Sequence, residues 1–343
     1  MKALRWYARK DVRYVDAPEP SPSPGQLKIK VSLAGICGTD LKEYAYGPVM
    51  IPPARVPLTM GHEFAGTVAE VGKGVKGFKV GDRVSGVGNS YCGECYVCKM
   101  GRYNLCLNQG FTGLFSDGCM AEYFVLPHYA CYKLPDSVSD ELGALVEPLA
   151  VAIHAVRQAH IQPGDLVAIV GDGTIGLCSL LAAKAAGASG VYVIAKHQGR
   201  GGLAAKMGAA AVIYLNEGNP IKKLQELTGG IGADAALECV GRPETPQLAV
   251  ECTRRGGIAV IVGIFAQSGA LDFSTITFTE KTMVGSSIYV HEGKTAIELM
   301  ADKRIDPSPL ISSIVPLQDA AKKGFEALIN DKEANIKVLL RVA

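Results

Sequence analysis

The sequence is poor in aromatic residues, in histidine and in net charge. One Trp and six His occur among 343 residues, and aromatic residues make up 7% of the chain. The 35 Lys and Arg residues nearly cancel the 33 Asp and Glu residues, which leaves a formal charge of +2. A nucleic-acid-binding surface needs clustered basic charge, so this balance argues against a nucleic-acid partner. With 48% hydrophobic residues, the chain is also too apolar for a disordered protein.

The sequence also lacks an uninterrupted apolar run of the roughly 18 residues that a membrane-spanning helix needs. Its most apolar stretches are interrupted by Glu147, His154 or Lys184. The segment Met1–Val15 mixes charged and apolar residues and contains no apolar block of the kind found in signal peptides. We therefore expect a cytoplasmic protein without a membrane partner. Thiols stay reduced in that compartment, so the ten cysteines are expected to be metal ligands or core residues.

The pattern of apolar segments changes near residue 152. Before this point, short β-like runs such as Gln26–Leu33 and Arg83–Gly86 are separated by Gly and Pro. After it, the fully apolar runs Leu166–Val170 and Val191–Ala195 flank an Ala- and Leu-rich helical segment, Ile175–Ala186. This alternation of buried strands and helices continues along the chain, and it predicts an α/β fold with a parallel, doubly wound sheet.

A glycine-rich loop joins the first apolar run to the helix that follows it. The segment Gly171-Asp172-Gly173-Thr174-Ile175-Gly176 has the G-x-G-x-x-G pattern, which permits a tight turn and close approach of the backbone to a pyrophosphate. The phosphates would then lie at the N-terminus of the helix. We predict a dinucleotide site that uses Gly171, Gly173, Thr174, Ile175 and Gly176; the alternative is an ordinary turn. Asp172 stands where a small residue is common and is expected to cap the helix.

The end of the second apolar strand predicts the type of nicotinamide cofactor. A carboxylate there bonds the ribose 2′-hydroxyl and repels a 2′-phosphate. Ala195 stands at this position, and Lys196, His197 and Arg200 follow it. Because Arg and Lys both suit a phosphate, we predict that NADP is preferred over NAD. The alternative is a solvated basic loop that binds no ligand.

Four cysteines follow one another within a short segment. The spacing Cys92-x2-Cys95-x2-Cys98-x7-Cys106 is typical of a closed, tetrahedral structural zinc site. An iron–sulfur cluster is the rival interpretation, but bacterial clusters prefer a final x3 spacing followed by Pro, whereas Leu107 follows here. A reduced lobe without metal is the third possibility.

A second set of metal-ligating residues is dispersed along the chain. Cys37 lies in the glycine-flanked segment Gly35–Asp40, and the pair His62-Glu63 lies between Gly61 and Gly66. Glu147 lies in an otherwise apolar segment, where a carboxylate usually has a charged partner or a metal. Each residue alone also fits a structural role: a core thiol, a hydrogen-bonded core histidine and an acidic residue at a helix start.

Together, these motifs resemble the zinc-dependent medium-chain dehydrogenase/reductase family, which includes alcohol dehydrogenases. The resemblance extends over nearly the whole chain, and within the family it is strongest to butanediol and polyol (sorbitol-like) dehydrogenases, with threonine dehydrogenase nearby. The motifs that carry it are Gly35–Asp40, Gly61–Thr67, the four-cysteine segment, Val146–Ala150 and Gly171–Gly176.

The resemblance implies a catalytic zinc held by Cys37, His62 and a carboxylate. In polyol-type members the Glu of the His-Glu pair, here Glu63, can ligate directly, and Glu147 occupies the place where alcohol dehydrogenases carry a second ligand cysteine. Glu147 is therefore expected to bind zinc directly or through water. Asp40 resembles the carboxylate that orients the ligand histidine.

The resemblance also implies the path of the proton. Thr39 is expected to accept a hydrogen bond from the substrate hydroxyl and to pass the proton outward, while hydride passes to C4 of the nicotinamide. Many relatives place a relay histidine five residues after the zinc cysteine, and here that position is Lys42. Lys42 is accordingly a candidate for the outer end of the relay, with water or another group as the alternatives.

The expected protein is an oxidoreductase with two zinc ions per chain that transfers hydride between NADP(H) and a secondary alcohol or ketone. The favoured substrate is a small vicinal diol such as 2,3-butanediol, with acetoin as its ketone. The alternatives are sugar-alcohol or L-threonine 3-dehydrogenase activity, and a nucleotide-binding protein that has lost catalysis. That last alternative conflicts with the intact set of ligand and relay residues.

The resemblance implies two domains and an oligomer. Residues 1–152 and 293–343 are expected to form a catalytic domain around an irregular, GroES-like β-barrel, and residues 153–292 a Rossmann domain. The active site is expected in the cleft between them. A homodimer or homotetramer is expected, with an edge strand near Met283–Val290 as the pairing element.

Overall fold

The computed structural model describes residues 1–342. The chain forms two compact units, and each is built from more than one segment. The first unit contains Met1–Glu147, Gly293–Lys303 and the chain from Ile311 onward. The second contains Pro148–Glu292 and Arg304–Leu310.

The described residues form eighteen strands. In chain order these are β1 Lys2–Ala8, β2 Asp11–Asp16, β3 Gln26–Gly35, β4 Leu58–Thr59, β5 Glu63–Val71, β6 Arg83–Gly86, β7 Asn89–Ser90, β8 Gly110–Phe111, β9 Tyr123–Pro127, β10 Cys131–Lys133, β11 Leu166–Val170, β12 Gly190–Ala195, β13 Ala211–Tyr214, β14 Ala233–Glu238, β15 Thr253–Ile261, β16 Thr282–Gly285, β17 Ile311–Pro316 and β18 Lys337–Arg341.

The same residues form eleven α-helices and several shorter helical segments. The α-helices are α1 Gly38–Tyr46, α2 Tyr96–Lys99, α3 Asp140–Gly143, α4 Val146–Gln158, α5 Thr174–Ala185, α6 Gln198–Lys206, α7 Pro220–Leu227, α8 Thr245–Cys252, α9 Phe273–Phe278, α10 Glu292–Ala301 and α11 Ala327–Asn330. The 3₁₀ helices are Pro53–Arg55, Tyr103–Leu105, His128–Ala130, Ser308–Leu310 and Leu317–Asp319, and a π-helix covers Ala320–Glu326.

The first unit is built mainly from antiparallel strands. Its largest sheet has the order β10-β6-β5-β3-β18-β17, and β9 also pairs with β3. The long strand β3 alternates buried and more exposed residues over its first half, which is the pattern of a sheet with one buried face. A three-stranded sheet, β2-β1-β4, and the pair β7-β8 complete this unit.

The second unit contains a six-stranded parallel sheet with the order β13-β12-β11-β14-β15-β16. In this order the sequence of strands reverses beside β11, which is the doubly wound topology. All six residues of β12 are buried, as are four of the five in β11, because helices cover both faces of such a sheet. The predicted parallel, doubly wound sheet is confirmed.

One helix was not anticipated by the β-rich interpretation of the first third of the chain. Helix α1 begins directly after Cys37, whose side chain caps it. Asp40 completes a capping box by accepting from the backbone of Cys37. Cys37 and Asp40 therefore belong to the predicted metal motif and also begin a helix.

Within residues 1–342, the helices are too short or too polar to traverse a lipid bilayer.

Candidate active site

Strand pairing brings three dispersed ligand candidates together in the first unit. In the antiparallel pair β3–β5, Gly35 lies opposite Glu63. Cys37 follows the end of β3 by two residues, and His62 immediately precedes β5. The Sγ, imidazole and carboxylate ligand atoms of Cys37, His62 and Glu63 all lie within 4.8 Å of one another. This packing requires glycine at position 35, since an added Cβ would lie 2.1 Å from Glu63 Oε2.

The start of α1 fixes the thiol of this cluster. Asp40 Oδ2 accepts a hydrogen bond from the backbone N of Cys37 at 2.9 Å, and Thr39 N donates to Cys37 Sγ at 3.5 Å. Thr39 Oγ1 lies 3.8 Å from the same sulfur. Lys42 is three residues further along α1 and therefore on the same face of the helix as Thr39.

His62 and Asp40 are both buried beside the thiol, with exposed fractions of 3% and 0%. His62 Nδ1 and Asp40 Oδ1 make no hydrogen bond among the described atoms, so these two atoms do not bond to each other. Burial lowers the pKa of His62, but the charges of Cys37, Asp40 and Glu147 outweigh it and raise that pKa well above its usual value. Burial raises the pKa of Asp40, against the opposing effect of His62.

Glu63 has a buried cationic partner from the far end of the chain. Lys337, at the start of β18, places Nζ 2.8 Å from Glu63 Oε1 and 2.6 Å from Oε2. The same ammonium donates to the carbonyl oxygen of Ile36 at 2.9 Å. The side chains are 2% and 1% exposed, so the pair is shielded from water. Lys337 therefore compensates the charge of Glu63 and holds its carboxylate beside Cys37.

Glu147 lies at the start of α4 and is 4% exposed. Its charge raises the pKa of His62, which places it within electrostatic reach of the cluster. Across residues 1–342, however, the group of mutually close ligand atoms contains Cys37, His62 and Glu63 and does not include Glu147. Ligation by Glu147, directly or through water, stays a prediction.

The four clustered cysteines also come together. Ligand atoms of Cys92, Cys95, Cys98 and Cys106 lie within 4.8 Å of one another, and the Cys92 and Cys106 sulfurs are 3.5 Å apart. None of the chain's ten cysteines, all of which are described, forms a disulfide.

Backbone amides surround these sulfurs. Cys92 N donates to Cys106 Sγ at 3.3 Å, and Cys95 N donates to Cys92 Sγ at 3.4 Å. Hydrogen bonds from the Leu107 and Cys98 amides lower the pKa of Cys95 to about 6. Because metals bind the thiolate, this lobe fits a tetrahedral four-thiolate zinc site.

In the second unit, the predicted glycine loop connects β11 to α5. Gly171 has φ +121°, which favours glycine, and a Cβ on Gly176 would lie 2.1 Å from the Gly171 carbonyl oxygen. At Gly173 the space is open, with no neighbouring atom within 4 Å of a Cβ position. Thr174 and Ile175 form the first turn of α5. The loop therefore fits a dinucleotide whose phosphates approach the backbone at Gly173.

The predicted determinants of cofactor type lie after β12. Ala195 is the last residue of that strand, His197 is the N-cap of α6, and Arg200 lies in the first turn. The expectation that Asp172 caps α5 is wrong. The N-cap of α5 is Gly173, without a side-chain bond, and the Asp172 carboxylate instead accepts from the turn after β12.

Two protein-family models match the chain, one mainly in the first unit and one mainly in the second. Residues 23–136 match the alcohol dehydrogenase GroES-like domain, and residues 174–302 match the zinc-binding dehydrogenase family. The chain is 38% identical to (R,R)-butanediol dehydrogenase of Bacillus subtilis over 99% of each chain. It belongs to the zinc-binding alcohol dehydrogenases of the medium-chain dehydrogenase/reductase family.

Relatives with other substrates are almost as similar. The sorbitol dehydrogenase of Bacillus subtilis is 35% identical, with 95% of this chain and 94% of the relative covered. The L-threonine 3-dehydrogenase of Shewanella putrefaciens is 34% identical over 96% of each chain.

Two solved structures confirm the fold. The 2R,3R-butanediol dehydrogenase of Bacillus subtilis has a TM-score of 0.92 at 37% identity, with 100% of this chain and 99% of that one covered. A zinc-binding dehydrogenase of Sinorhizobium meliloti 1021 bound to NADP has a TM-score of 0.92 at 32% identity, covering 99% of this chain and 98% of that one. The predicted GroES-like and Rossmann folds are thus confirmed.

The family assigns the chemistry of the two clusters. The chain is a zinc-dependent alcohol dehydrogenase that acts on CH–OH donors with a nicotinamide dinucleotide. Cys92, Cys95, Cys98 and Cys106 are its structural zinc site, and Cys37, His62 and Glu63 are its catalytic zinc site.

Sequence reasoning missed Lys337 altogether. Its partner Glu63 is 274 residues away along the chain, and the available signal was a lysine that begins the otherwise apolar run Lys337–Leu340. A buried strand rarely carries an unpaired ammonium, so a lysine in such a run predicts a buried anionic partner.

Proposed function

We propose that the protein interconverts a small vicinal diol and its hydroxyketone, with 2,3-butanediol and acetoin as the favoured pair and NADP(H) as the cofactor. The observation that carries this proposal is the intact cluster Cys37–His62–Glu63 in a chain that matches a butanediol dehydrogenase over 99% of its length. The first unit is the catalytic domain and the second the cofactor domain. Sugar alcohols and L-threonine are the competing substrates, since their dehydrogenases are 35% and 34% identical.

The residues at the start of α1 handle the proton. A zinc ion in this site acts as a Lewis acid that acidifies a hydroxyl or polarises a carbonyl. Thr39, whose Oγ1 lies 3.8 Å from Cys37 Sγ, accepts a hydrogen bond from the substrate hydroxyl and gives up its own proton outward as it takes the substrate's. Lys42, on the same helix face, or water lies at the outer end of this relay, and solvent receives the proton. Asp40 fixes the backbone of Cys37 through its Oδ2 and thereby holds the thiol in place.

The carboxylates balance the charge of the site. Glu63 is held by Lys337 at 2.6 Å, so its position does not depend on the metal alone. Glu147 is buried and would be a further zinc ligand, directly or through water.

The preference for NADP rests on the turn after β12. Ala195 offers no carboxylate to bond a ribose 2′-hydroxyl, and Lys196 and Arg200 supply positive charge for a 2′-phosphate. A relative that is 32% identical binds NADP. We therefore propose that this turn binds the 2′-phosphate of NADP(H).

Absorbance at 340 nm tests substrate and cofactor together. Purified, zinc-loaded protein is offered NADPH and NADH in parallel, each with acetoin, diacetyl, ketoses and small aldehydes, and NADP⁺ with L-threonine and sorbitol. Turnover of acetoin with NADPH well above NADH supports the proposal. Turnover of acetoin with NADH alone refutes the cofactor assignment. Activity confined to L-threonine or sugar alcohols refutes the diol assignment.

We also propose a homodimer or homotetramer assembled through the edge of the parallel sheet. Strand β16 is the last strand of that sheet, and Met283 on it is 39% exposed. The large apolar side chains of Phe273 and Phe278 are also exposed in the preceding helix. Unpaired edge strands with exposed apolar residues pair readily with another chain. Light scattering tests this: Met283→Lys should lower the measured mass, and a monomeric wild-type protein refutes the proposal.

A further inference from the structure

Asp172 connects two loops at the cofactor edge of the parallel sheet. It is the second residue of the glycine loop after β11, and it is 5% exposed. Its Oδ2 accepts from the backbone N of Lys196 at 2.9 Å and from that of His197 at 2.7 Å. His197 Nδ1 lies 3.2 Å from Oδ1 and 3.1 Å from Oδ2. The Asp172 carboxylate therefore accepts hydrogen bonds from two backbone amides and one imidazole of the turn that follows β12.

This arrangement changes how the turn can recognise an anion. The amides of Lys196 and His197 already donate to Asp172, so a phosphate at this turn needs other donors, such as side chains. A phosphate near the Asp172 carboxylate is also repelled, unless a cation lies between them. His197 suits that position, because its Nδ1 donates to the carboxylate and its side chain is 20% exposed. An imidazole with protons on both nitrogens can bridge two anions.

We propose that Asp172 is a positioning residue for cofactor selection: it fixes the turn after β12 and holds His197 so that Nε2 donates to the 2′-phosphate of NADP(H). The arrangement resembles the pairs in which a carboxylate orients a ligand histidine, with phosphate in the place of a metal. The proposal rests on the proposed NADP preference, and it explains why a carboxylate stands in the glycine loop while Ala195 ends β12.

Equilibrium binding tests this proposal without reference to turnover. Calorimetry on the full, zinc-loaded chain measures the dissociation constants of NADP⁺, NAD⁺, adenosine 2′,5′-bisphosphate and AMP. Loss of a charge-assisted bond predicts that His197→Gln weakens NADP⁺ and the bisphosphate about tenfold or more, and NAD⁺ and AMP less than about twofold. Asp172→Asn retains an acceptor for the amides and should weaken the same two ligands selectively.

Two further variants distinguish a positioning role from a structural one. If Asp172 acts through His197, the double variant Asp172→Asn/His197→Gln binds NADP⁺ no more weakly than His197→Gln alone. Asp234→Asn is the matched control, because Asp234 also accepts a backbone amide, from Leu166, and a cationic side chain, from Arg254. Asp234 is the second residue of β14, at the opposite end of the strands from the glycine loop, so its substitution should leave the ratio of the NADP⁺ and NAD⁺ dissociation constants unchanged.

The outcomes separate this proposal from the proposed preference. In one outcome, the wild-type protein binds NADP⁺ more tightly than NAD⁺, but the variants weaken binding of both cofactors equally, or their effects on NADP⁺ binding add in the double variant. That outcome refutes the role of Asp172 and leaves the NADP preference standing. If the wild-type protein binds NAD⁺ more tightly than NADP⁺, both the NADP preference and the role of Asp172 are refuted. If Asp172→Asn then weakens NAD⁺ binding selectively, the Asp172 carboxylate binds the ribose hydroxyls of NAD⁺. Thermal melts of each variant confirm that the measured proteins are folded.

Discussion

Replacing Lys337 by Met should destabilise the first unit strongly, because it leaves the Glu63 carboxylate buried without its cationic partner. The two side chains are 2% and 1% exposed, and the ammonium donates to both Glu63 oxygens and to the Ile36 carbonyl oxygen. Removing one partner of a buried ion pair costs about 3–5 kcal/mol, since the remaining charge cannot be solvated. The loss should be smaller in zinc-loaded protein, where the ion offers Glu63 another positive partner.

The single Trp provides the assay. Trp6 is buried in β1 of the first unit, so its fluorescence reports urea unfolding of that unit. Zinc-loaded and zinc-free samples of wild type and Lys337→Met are compared, and metal content is measured separately. The double variant Glu63→Gln/Lys337→Met should recover part of the loss, because it removes the stranded charge.

An exposed ion pair supplies the control for that experiment. Lys323 and Asp319 are 62% and 35% exposed, and such pairs contribute about 0–1 kcal/mol. Lys323→Met should therefore unfold close to wild type. If Lys337→Met also unfolds within about 0.5 kcal/mol of wild type, with and without zinc, then the ion pair does not stabilise the unit and the reasoning fails.

Three further predictions concern zinc, cofactor choice and pH. Cys37→Ser should abolish turnover and lower the zinc content from about two ions per chain to about one, while the Trp6 fluorescence stays native. Retained activity in Cys37→Ser would contradict the assignment of the catalytic zinc site. Cys95→Ser should instead lower the free energy of unfolding. Ala195→Asp should shift the ratio of kcat/KM for NADP to kcat/KM for NAD by about tenfold towards NAD. An unchanged ratio would mean that the turn after β12 does not contact the 2′-phosphate. Burial raises the pKa of Glu292, but bonds from His154 and the backbone outweigh it and lower that pKa to about 2. The charged Glu292 carboxylate therefore stabilises the folded state above its ordinary pKa of 4.5, and this stabilisation is lost as the pH falls towards 2. Glu292→Gln should lower the free energy of unfolding by about 2 kcal/mol above pH 5 and by progressively less below pH 4.5. A loss of stability that does not depend on pH would contradict this prediction.

The parts of the fold that depend on local sequence were predictable. Leu166–Val170 is a strand in both the prediction and the structure, because a short, fully apolar run between turn signals fits a strand buried on both faces. The cysteine lobe was predictable for a similar reason. Its four ligands lie within one short segment, so their spacing alone limits the geometry that they can adopt.

Contacts between distant segments were not predictable in this way. Lys337 and Glu63 are brought together by β18, which pairs with β3, and by β3, which pairs with β5. Nothing local to either residue specifies that register. Asp172 illustrates a second kind of failure. Its expected role as a helix cap followed from its neighbours in sequence, but the backbone amides of the next βα turn are better placed donors.

The balance of buried charge gives a physical reason for zinc in the first unit besides catalysis. Three carboxylates that contact His62 or act on its charge are at most 4% exposed: Asp40, Glu63 and Glu147. Lys337 compensates one of them, and His62, with its raised pKa, can compensate another. Carboxylates this close repel one another when they are charged, and a divalent cation among them would reduce that repulsion. Zinc removal should therefore lower the stability of this unit as well as its activity, and most of all in Lys337→Met.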